Sequence, residues 1–168
     1  DTLALLKTAE DFGSPLRIVE AVAKVNDTRK RAMGRKVVDA IAAATGGDAR
    51  GKRVAMLGLT FKPNTDDMRD SPSLAVAQTL ADAGIEVCAY DPEGMELAAP
   101  MMPGVEMKSD TYAAIEGADA VVIVTEWDAF RALDLQRVRQ LMRTPVFVDL
   151  RNVYDPAEVR EAGFTYVS

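Results

Sequence analysis

Hydrophobic and polar positions along the chain follow two regimes that change over near Lys52. Before that point apolar residues recur at helical spacing. Leu3, Leu6 and Ala9 predict a helix over 2–12, stopped by Gly13. Pro15 then heads a second, long helix reaching about Thr45. Its apolar positions Ile18, Val22, Val25, Met33, Val37 and Ile41 return every three, four or eight residues, as one helix face requires. Thirty helical residues measure about 45 Å, more than a small domain buries by itself. Gly34 weakens the centre of that helix by about 1 kcal/mol relative to Ala, and Gly46-Gly47 ends it. A helix of this length with one apolar face links domains or packs on a second subunit.

From Lys52 onward short apolar runs alternate with helical stretches. Strands are predicted over 53–59, 86–90, 120–125, 145–150 and 164–167, with a minor strand at 105–107. Helices are predicted over 73–83, 111–116, 134–142 and 156–162, and the Met-Pro-rich piece 99–104 reads as a loop. Unbroken apolar strands such as Val121-Val122-Ile123-Val124 are buried on both faces. Strands alternating with helices of about ten residues imply a parallel sheet covered on both sides. The expected fold is therefore α/β: a Rossmann-like doubly wound parallel sheet over 48–168, preceded by a helical segment over 1–47.

The chemistry concentrates after the strands, where open parallel sheets place their ligands. Four strand ends are polar: Thr60-Phe61-Lys62, Tyr90-Asp91-Pro92, Thr125-Glu126-Trp127 and Asp149-Leu150-Arg151. The first runs through a loop to Asp70-Ser71-Pro72-Ser73. There Ser71 can cap a helix and Pro72 suits its first position. A strand, a polar loop and a helix N-terminus together suit an anionic ligand. Lys62 and Arg151 can converge on one anion, Arg151 with bidentate geometry, and Phe61 or Trp127 can offer a flat surface to a base. Taken singly, each also reads as a solvated loop residue.

The same turn argues against one ligand. Gly58 stands without the partner glycines of G-x-G-x-x-G, so a dinucleotide pyrophosphate cannot approach this backbone closely. Asp66, Asp67, Asp70, Asp91 and Asp149 raise a metal site as the rival idea. Against it, Asp66 and Asp67 can make turns or pair with Arg69, Asp70 precedes a capped helix, and Asp91 turns before Pro92. Cys88 lies mid-strand, in the place of a small buried apolar residue. The basic run Arg29-Lys30-Arg31 with Arg35-Lys36 reads as a solvated helix face or as a contact for an acidic partner.

Composition narrows the classes further. At 168 residues and 48% apolar, the chain supports one domain with a helical appendage and is too apolar for disorder. A net charge of −6 argues against nucleic-acid binding. No apolar run approaches the roughly 18 residues of a membrane span, and no signal-peptide pattern is present. A single cysteine fits a reducing compartment, so a cytoplasmic location is expected. The absence of histidine removes the commonest general base and metal ligand. Asp1-Thr2-Leu3 opens abruptly, as a piece of a longer protein would.

In order along the chain, GLTFKPNTDDMRDSPS (58–73), AYDP (89–92), VVIVTEW (121–127) and FVDLRNVYD (147–155) resemble the C-terminal part of the UDP-glucose 6-dehydrogenases. The opening DTLALLKTAEDFG (1–13) is similar to the segment directly after that family's C-F-P-K-D motif. The family oxidises C6 of UDP-glucose to a carboxylate with two NAD⁺, through a cysteine thiohemiacetal and thioester. The resemblance implies that Asp1 is the carboxylate assisting that chemistry. It implies that Phe61, Lys62 and Arg151 contact the UDP-sugar, and that Arg69 reaches NAD held mainly by another domain. It also implies a homodimer formed through the helix at 15–45. The nucleophilic Cys would precede Asp1, so these 168 residues alone are expected to lack dehydrogenase activity.

Two neighbouring readings keep the enzyme class and change the sugar: a GDP-mannose or a UDP-N-acetylmannosamine dehydrogenase. A different class is a non-catalytic, receiver-like module holding Mg²⁺. That module wants an acidic pair at the first strand end, where this chain has Leu57-Gly58-Leu59-Thr60. A purely structural dimerisation domain is the remaining alternative.

Overall fold

The computed structural model describes residues 2–168; Asp1, the expected catalytic carboxylate, lies outside the described residues. Helix α1 (Thr2–Asp11) ends where Gly13 turns with φ +63°. Helix α2 (Arg17–Ala44) follows, two residues later than Pro15 predicts and without a side-chain cap at Leu16. It runs unbroken through Gly34. The physical reason lies in helix α3 (Pro72–Asp82), which crosses α2 at that residue. A Cβ on Gly34 would stand 2.5 Å from Thr79 Cβ, so the missing side chain is what lets the two helices meet. The residue expected to weaken α2 is the one that docks it.

Six strands follow: β1 (Arg53–Leu57), β2 (Glu86–Tyr90), β3 (Val105–Met107), β4 (Ala120–Ile123), β5 (Val146–Asp149) and β6 (Thr165–Val167). They pair in parallel in the order β3-β2-β1-β4-β5-β6, so the predicted doubly wound sheet is present. The intervening helices are α4 (Met95–Ala98), α5 (Thr111–Ile115), α6 (Asp128–Arg131), α7 (Leu135–Leu141) and α8 (Pro156–Glu161). The carboxyl ends of β1, β4 and β5 stop one or two residues short of prediction. There the chain leaves the ladder: Gly58 turns at φ +92°, and the residues after it bond to loops instead. Helices α4 and α6 were not anticipated because four residues are too few to show a period. Within the expected loop 99–104, Ala99–Met101 forms a turn of 3₁₀-helix.

The starts of α3, α5, α7 and α8 are set by short oxygen side chains, as capping chemistry requires. Asp110 accepts from the Tyr112 and Ala113 amides, Asp134 from Arg137, Asp155 from Ala157 and Ser71 from Ser73. The backbone donors at α5, Ala113 first, hold the Asp110 carboxyl below its ordinary range.

Alternate strand residues feed two cores, as a pleated sheet covered on both faces demands. Val54, Met56, Val122 and Val148 pack with Val37, Ala40 and Ile41 of α2 and with Val76 and Leu80 of α3. Ala55, Leu57, Val121, Ile123 and Phe147 pack on the other face with α5, α7 and α8. The second half of α2 is thus part of the sheet domain's own core. Its first half is not: Ile18 is 82% exposed and Val25 64% exposed. Among the described residues no helix is long and apolar enough to cross a membrane.

Candidate functional site

Strand order reverses between β1 and β4, which makes their carboxyl ends the place where a doubly wound sheet opens. Here the innermost part of that opening is stitched shut. A Cβ on Gly58 would lie 2.5 Å from Thr125 Cβ and 2.6 Å from the Thr125 amide nitrogen. Thr125 Oγ1 donates to the Thr60 carbonyl at 2.6 Å. The close approach that glycine permits at this turn is consumed by Thr125. The residues present therefore do not fit the pyrophosphate of NAD at the first βα turn.

Two buried carboxylates hold the loops around this seam. Asp91 Oδ2 accepts from the Leu59 amide at 2.7 Å, the Thr60 amide at 3.1 Å, the Thr60 hydroxyl at 3.2 Å and Trp127 Nε1 at 3.1 Å. Its Oδ1 accepts from the amides of Glu93 and Gly94. Asp149 accepts from the amides of Arg151, Val153 and Tyr154 and from the Tyr166 hydroxyl. Burial, and then the nearby Asp149 charge, push the Tyr166 phenol up to about 12. Ser71 and Ser73 both donate to the Leu59 carbonyl, tying the start of α3 to the end of β1.

These bonds bear on two readings of the sequence, a stacking Trp127 and the rival idea of a metal site. Trp127 cannot stack on a base: it is buried and its indole N–H is spent on Asp91. Asp91 and Asp149 offer no oxygens to a metal, because donors surround them. Among the described residues no cluster of three His, Cys, Asp or Glu is arranged to hold one. Asp91 does more than turn the chain before Pro92; it anchors three strand ends.

Outside the seam lies a cleft of about 420 Å³ between α2 and the strand ends. Phe61, Leu150 and Arg151 line it from the sheet side, and Asn26, Lys30 and Met33 from α2. Phe61 is 51% exposed and presents an open aromatic surface. Lys30 Nζ donates to the backbone carbonyl of Asp70 at 3.0 Å and also pairs with its carboxylate. Asp70 takes φ +56° to meet it. Part of the basic run on α2 is therefore engaged in the cleft wall rather than solvated. Asn26, Lys30 and Met33 fall at four- and three-residue steps on one face of α2, joining a residue of the apolar period to one of the basic run.

Arg151 and Phe61 meet in this cleft. Lys62, the next residue after Phe61, is exposed and does not line it. Arg151 is held by Glu126: Nη2 donates to Oε1 at 2.8 Å, while Nε lies 2.6 Å from Oε2 as an ion-pair contact, Oε2 being buried without a hydrogen-bond donor. Burial raises the Glu126 carboxyl, but the Arg151 guanidinium outweighs it and keeps the group below its ordinary range. Glu126 was not singled out from the sequence. Its place beside Arg151 depends on β4 and β5 being neighbours.

Arg69 sits apart, in a shallow depression of about 500 Å³ with Thr65, Asp66, Met68, Leu97 and Met101. Its side chain is 90% exposed, and its guanidinium donates from Nε and Nη2 to Asp67 at 2.9 and 2.7 Å. The Arg69 side chain, then its backbone amide, pull the Asp67 carboxyl down to about 2. Cys88 is buried as expected. Its sulfur is not merely apolar filling, since Arg53 Nε donates to it at 2.9 Å and Glu106 Oε2 lies 3.3 Å away. Burial raises the thiol, so it is a poor nucleophile at neutral pH.

The comparisons with known proteins agree with this geometry. Residues 55–156 match the family described as UDP-glucose/GDP-mannose dehydrogenase family, UDP binding domain. The chain is 58% identical over 168 residues to the UDP-glucose 6-dehydrogenase of Rhizobium meliloti (strain 1021), covering 100% of this chain and 38% of that one. It is 40% identical over 172 residues to the UDP-glucose 6-dehydrogenase of Pseudomonas aeruginosa, covering 99% of this chain and 37% of that one. The solved UDP-glucose dehydrogenase of Pyrobaculum islandicum superposes with a TM-score of 0.75 at 34% identity, over 99% of this chain and 35% of that one. The chain thus spans little more than a third of the length of these relatives. It belongs to the UDP-glucose/GDP-mannose dehydrogenase family, and its sheet carries that family's UDP binding domain.

Proposed function

We propose that this chain is the nucleotide-sugar-binding, C-terminal part of an NAD-dependent UDP-glucose 6-dehydrogenase acting in the cytoplasm. The observation that carries the reading is the 58% identity sustained over all 168 residues with a protein of that name. The cleft supports it physically. A half-exposed aromatic ring, a guanidinium and a lysine lie at or beside the carboxyl edge of a parallel sheet. Phe61 packs against the UDP moiety, and Lys62 and Arg151 neutralise its phosphates, Lys62 swinging in from the rim. GDP-mannose and UDP-N-acetylmannosamine remain rival substrates of the same class.

In this reading NAD is held mainly by a domain outside these residues, in keeping with the closed turn at Gly58. Arg69, highly exposed on a loop, reaches outward to it, and Asp1 assists the chemistry. Residues 1–47 serve as the helical dimerisation segment and 48–168 as the UDP-sugar domain, with the second half of α2 also packed into that domain's core. The exposed Phe12, Ile18, Val22 and Val25 supply the apolar face for a second copy. These 168 residues by themselves form no NADH from UDP-glucose and NAD⁺.

Amide NMR shift mapping tests the reading. Adding UDP-glucose should move resonances of residues 60–62 and 149–152 while leaving α7 and α8 still. Shifts confined to other faces of the domain, or a larger response at the same residues to GDP-mannose, would remove UDP-glucose as the ligand.

A further inference from the structure

We propose that Glu126 is a positioning residue for nucleotide binding: it fixes the Arg151 guanidinium so that one edge faces the cleft. The proposal rests on the UDP-binding reading of that cleft and adds a residue to it. The geometry is specific. Glu126 occupies the Nε and Nη2 side of Arg151, with 2.8 Å between Nη2 and Oε1 and 2.6 Å between Nε and Oε2. An arginine carries five N–H donors in a planar fork, so the Nη1 side remains for a phosphate. Glu126 is itself fixed. It is flanked by Thr125, bonded to the Thr60 carbonyl, and by Trp127, bonded to Asp91. Asp149 in turn accepts from the Arg151 amide at 3.0 Å, so backbone and side chain of Arg151 are held separately.

The alternative role for a carboxylate beside a phosphate-binding arginine is competition. An acid that merely occupied Arg151 would have to be displaced by the ligand, and removing it would tighten binding. A positioning acid has the opposite signature. Immobilising a free arginine on binding costs affinity that the pair has already met in the unbound protein. Loss of Glu126 should therefore weaken UDP by about three- to ten-fold, the effect of ordering one long side chain.

The test is calorimetric titration of the 168-residue chain and its Glu126→Ala and Glu126→Gln variants with UDP, repeated in an Arg151→Ala background. The proposal expects weaker binding for Glu126→Ala and partial rescue by Glu126→Gln, which keeps an acceptor for Nη2. It also expects no effect of Glu126→Ala once Arg151 is gone; a general structural loss would persist there. Binding that is unchanged or tighter in Glu126→Ala overturns the positioning role. Absence of UDP binding by the unaltered chain removes the underlying reading, and this proposal with it. A second measurement needs no variant: the Arg151 Nη2 protons, bonded to Glu126 Oε1, should give a resolved signal, slow to exchange, without ligand. A signal averaged with the exposed arginines would contradict the proposal even if Glu126→Ala failed to fold.

Discussion

At one edge of the sheet two rows of residues, one wholly polar and one of three cations and an aromatic ring, have opposite fates. The inner row, Thr60, Asp91, Thr125 and Asp149, is buried and satisfied by protein donors and acceptors. The outer row, Phe61, Lys62, Arg69 and Arg151, is exposed. Both rows follow from the same sheet rule, that strand ends carry the loops. The difference teaches that a polar residue at a strand end is not by itself a ligand group. Burial decides: an unpaired buried polar atom is too costly to leave waiting for a ligand, so the inner row is consumed by the fold. In the proposed reading, ligand chemistry falls to the residues one step further out.

The sharpest way to break this comparison is Asp91→Ala. It strips an acceptor from buried donors at Leu59, Thr60, Gly94 and Trp127. Each orphaned donor costs on the order of 1–3 kcal/mol, so a loss of about 3 kcal/mol or more is expected in urea denaturation. A loss under about 1 kcal/mol would place Asp91 in the outer row. Lys62→Ala and Arg151→Ala should do the reverse. Each is expected to weaken UDP by about ten-fold or more, as loss of a charge-assisted contact does. Thermal unfolding should stay close to that of the unaltered chain, since both residues are exposed.

Two smaller effects sharpen the contrast. Gly34→Ala would stabilise an exposed helix by about 1 kcal/mol. Here the new Cβ meets Thr79 at 2.5 Å, and overpacking of about 1–3 kcal/mol should win, giving net destabilisation. A rise in melting temperature would show that α2 and α3 part more easily than the close approach implies. The smallest effect concerns the Asp67–Arg69 pair. Asp67 is depressed from 3.8 to about 2. Its pairing therefore contributes fully above pH 3.8 and fades as pH falls through about 2. A carboxyl carbon NMR titration should place the Asp67 midpoint near 2, and Asp67→Asn should leave stability flat between pH 5 and 8. A midpoint near 3.8 would show that Arg69 is not held on this loop.

Much of this organisation is legible in the amino-acid sequence. Uninterrupted runs such as 121–124 announced strands buried on both faces, and the parallel sheet followed. Phe61, Lys62 and Arg151 could be named as candidates because loops after strands carry exposed chemistry, whereas Arg69 comes only from the family resemblance. What escaped depended on distances across the sheet. Trp127 looked like a stacking surface because its partner, Asp91, lies 36 residues away. Glu126 stands among the polar strand ends, but its pairing with Arg151 shows only once β4 and β5 are neighbours, and Gly34 reads as a flaw until α3 crosses it. The division within α2 was hidden for the same reason. One apolar period runs the length of the helix, yet Val37 and Ile41 are buried by this domain while Ile18 and Val25 are left exposed.

The most direct measurement of the central claim is calorimetric titration of the unaltered chain with UDP and with GDP at low and moderate salt. The account predicts saturable, one-to-one binding of UDP, stronger than that of GDP and weakened by salt as a phosphate contact should be. Binding of GDP equal to or tighter than UDP, or no binding of UDP at all, would contradict it.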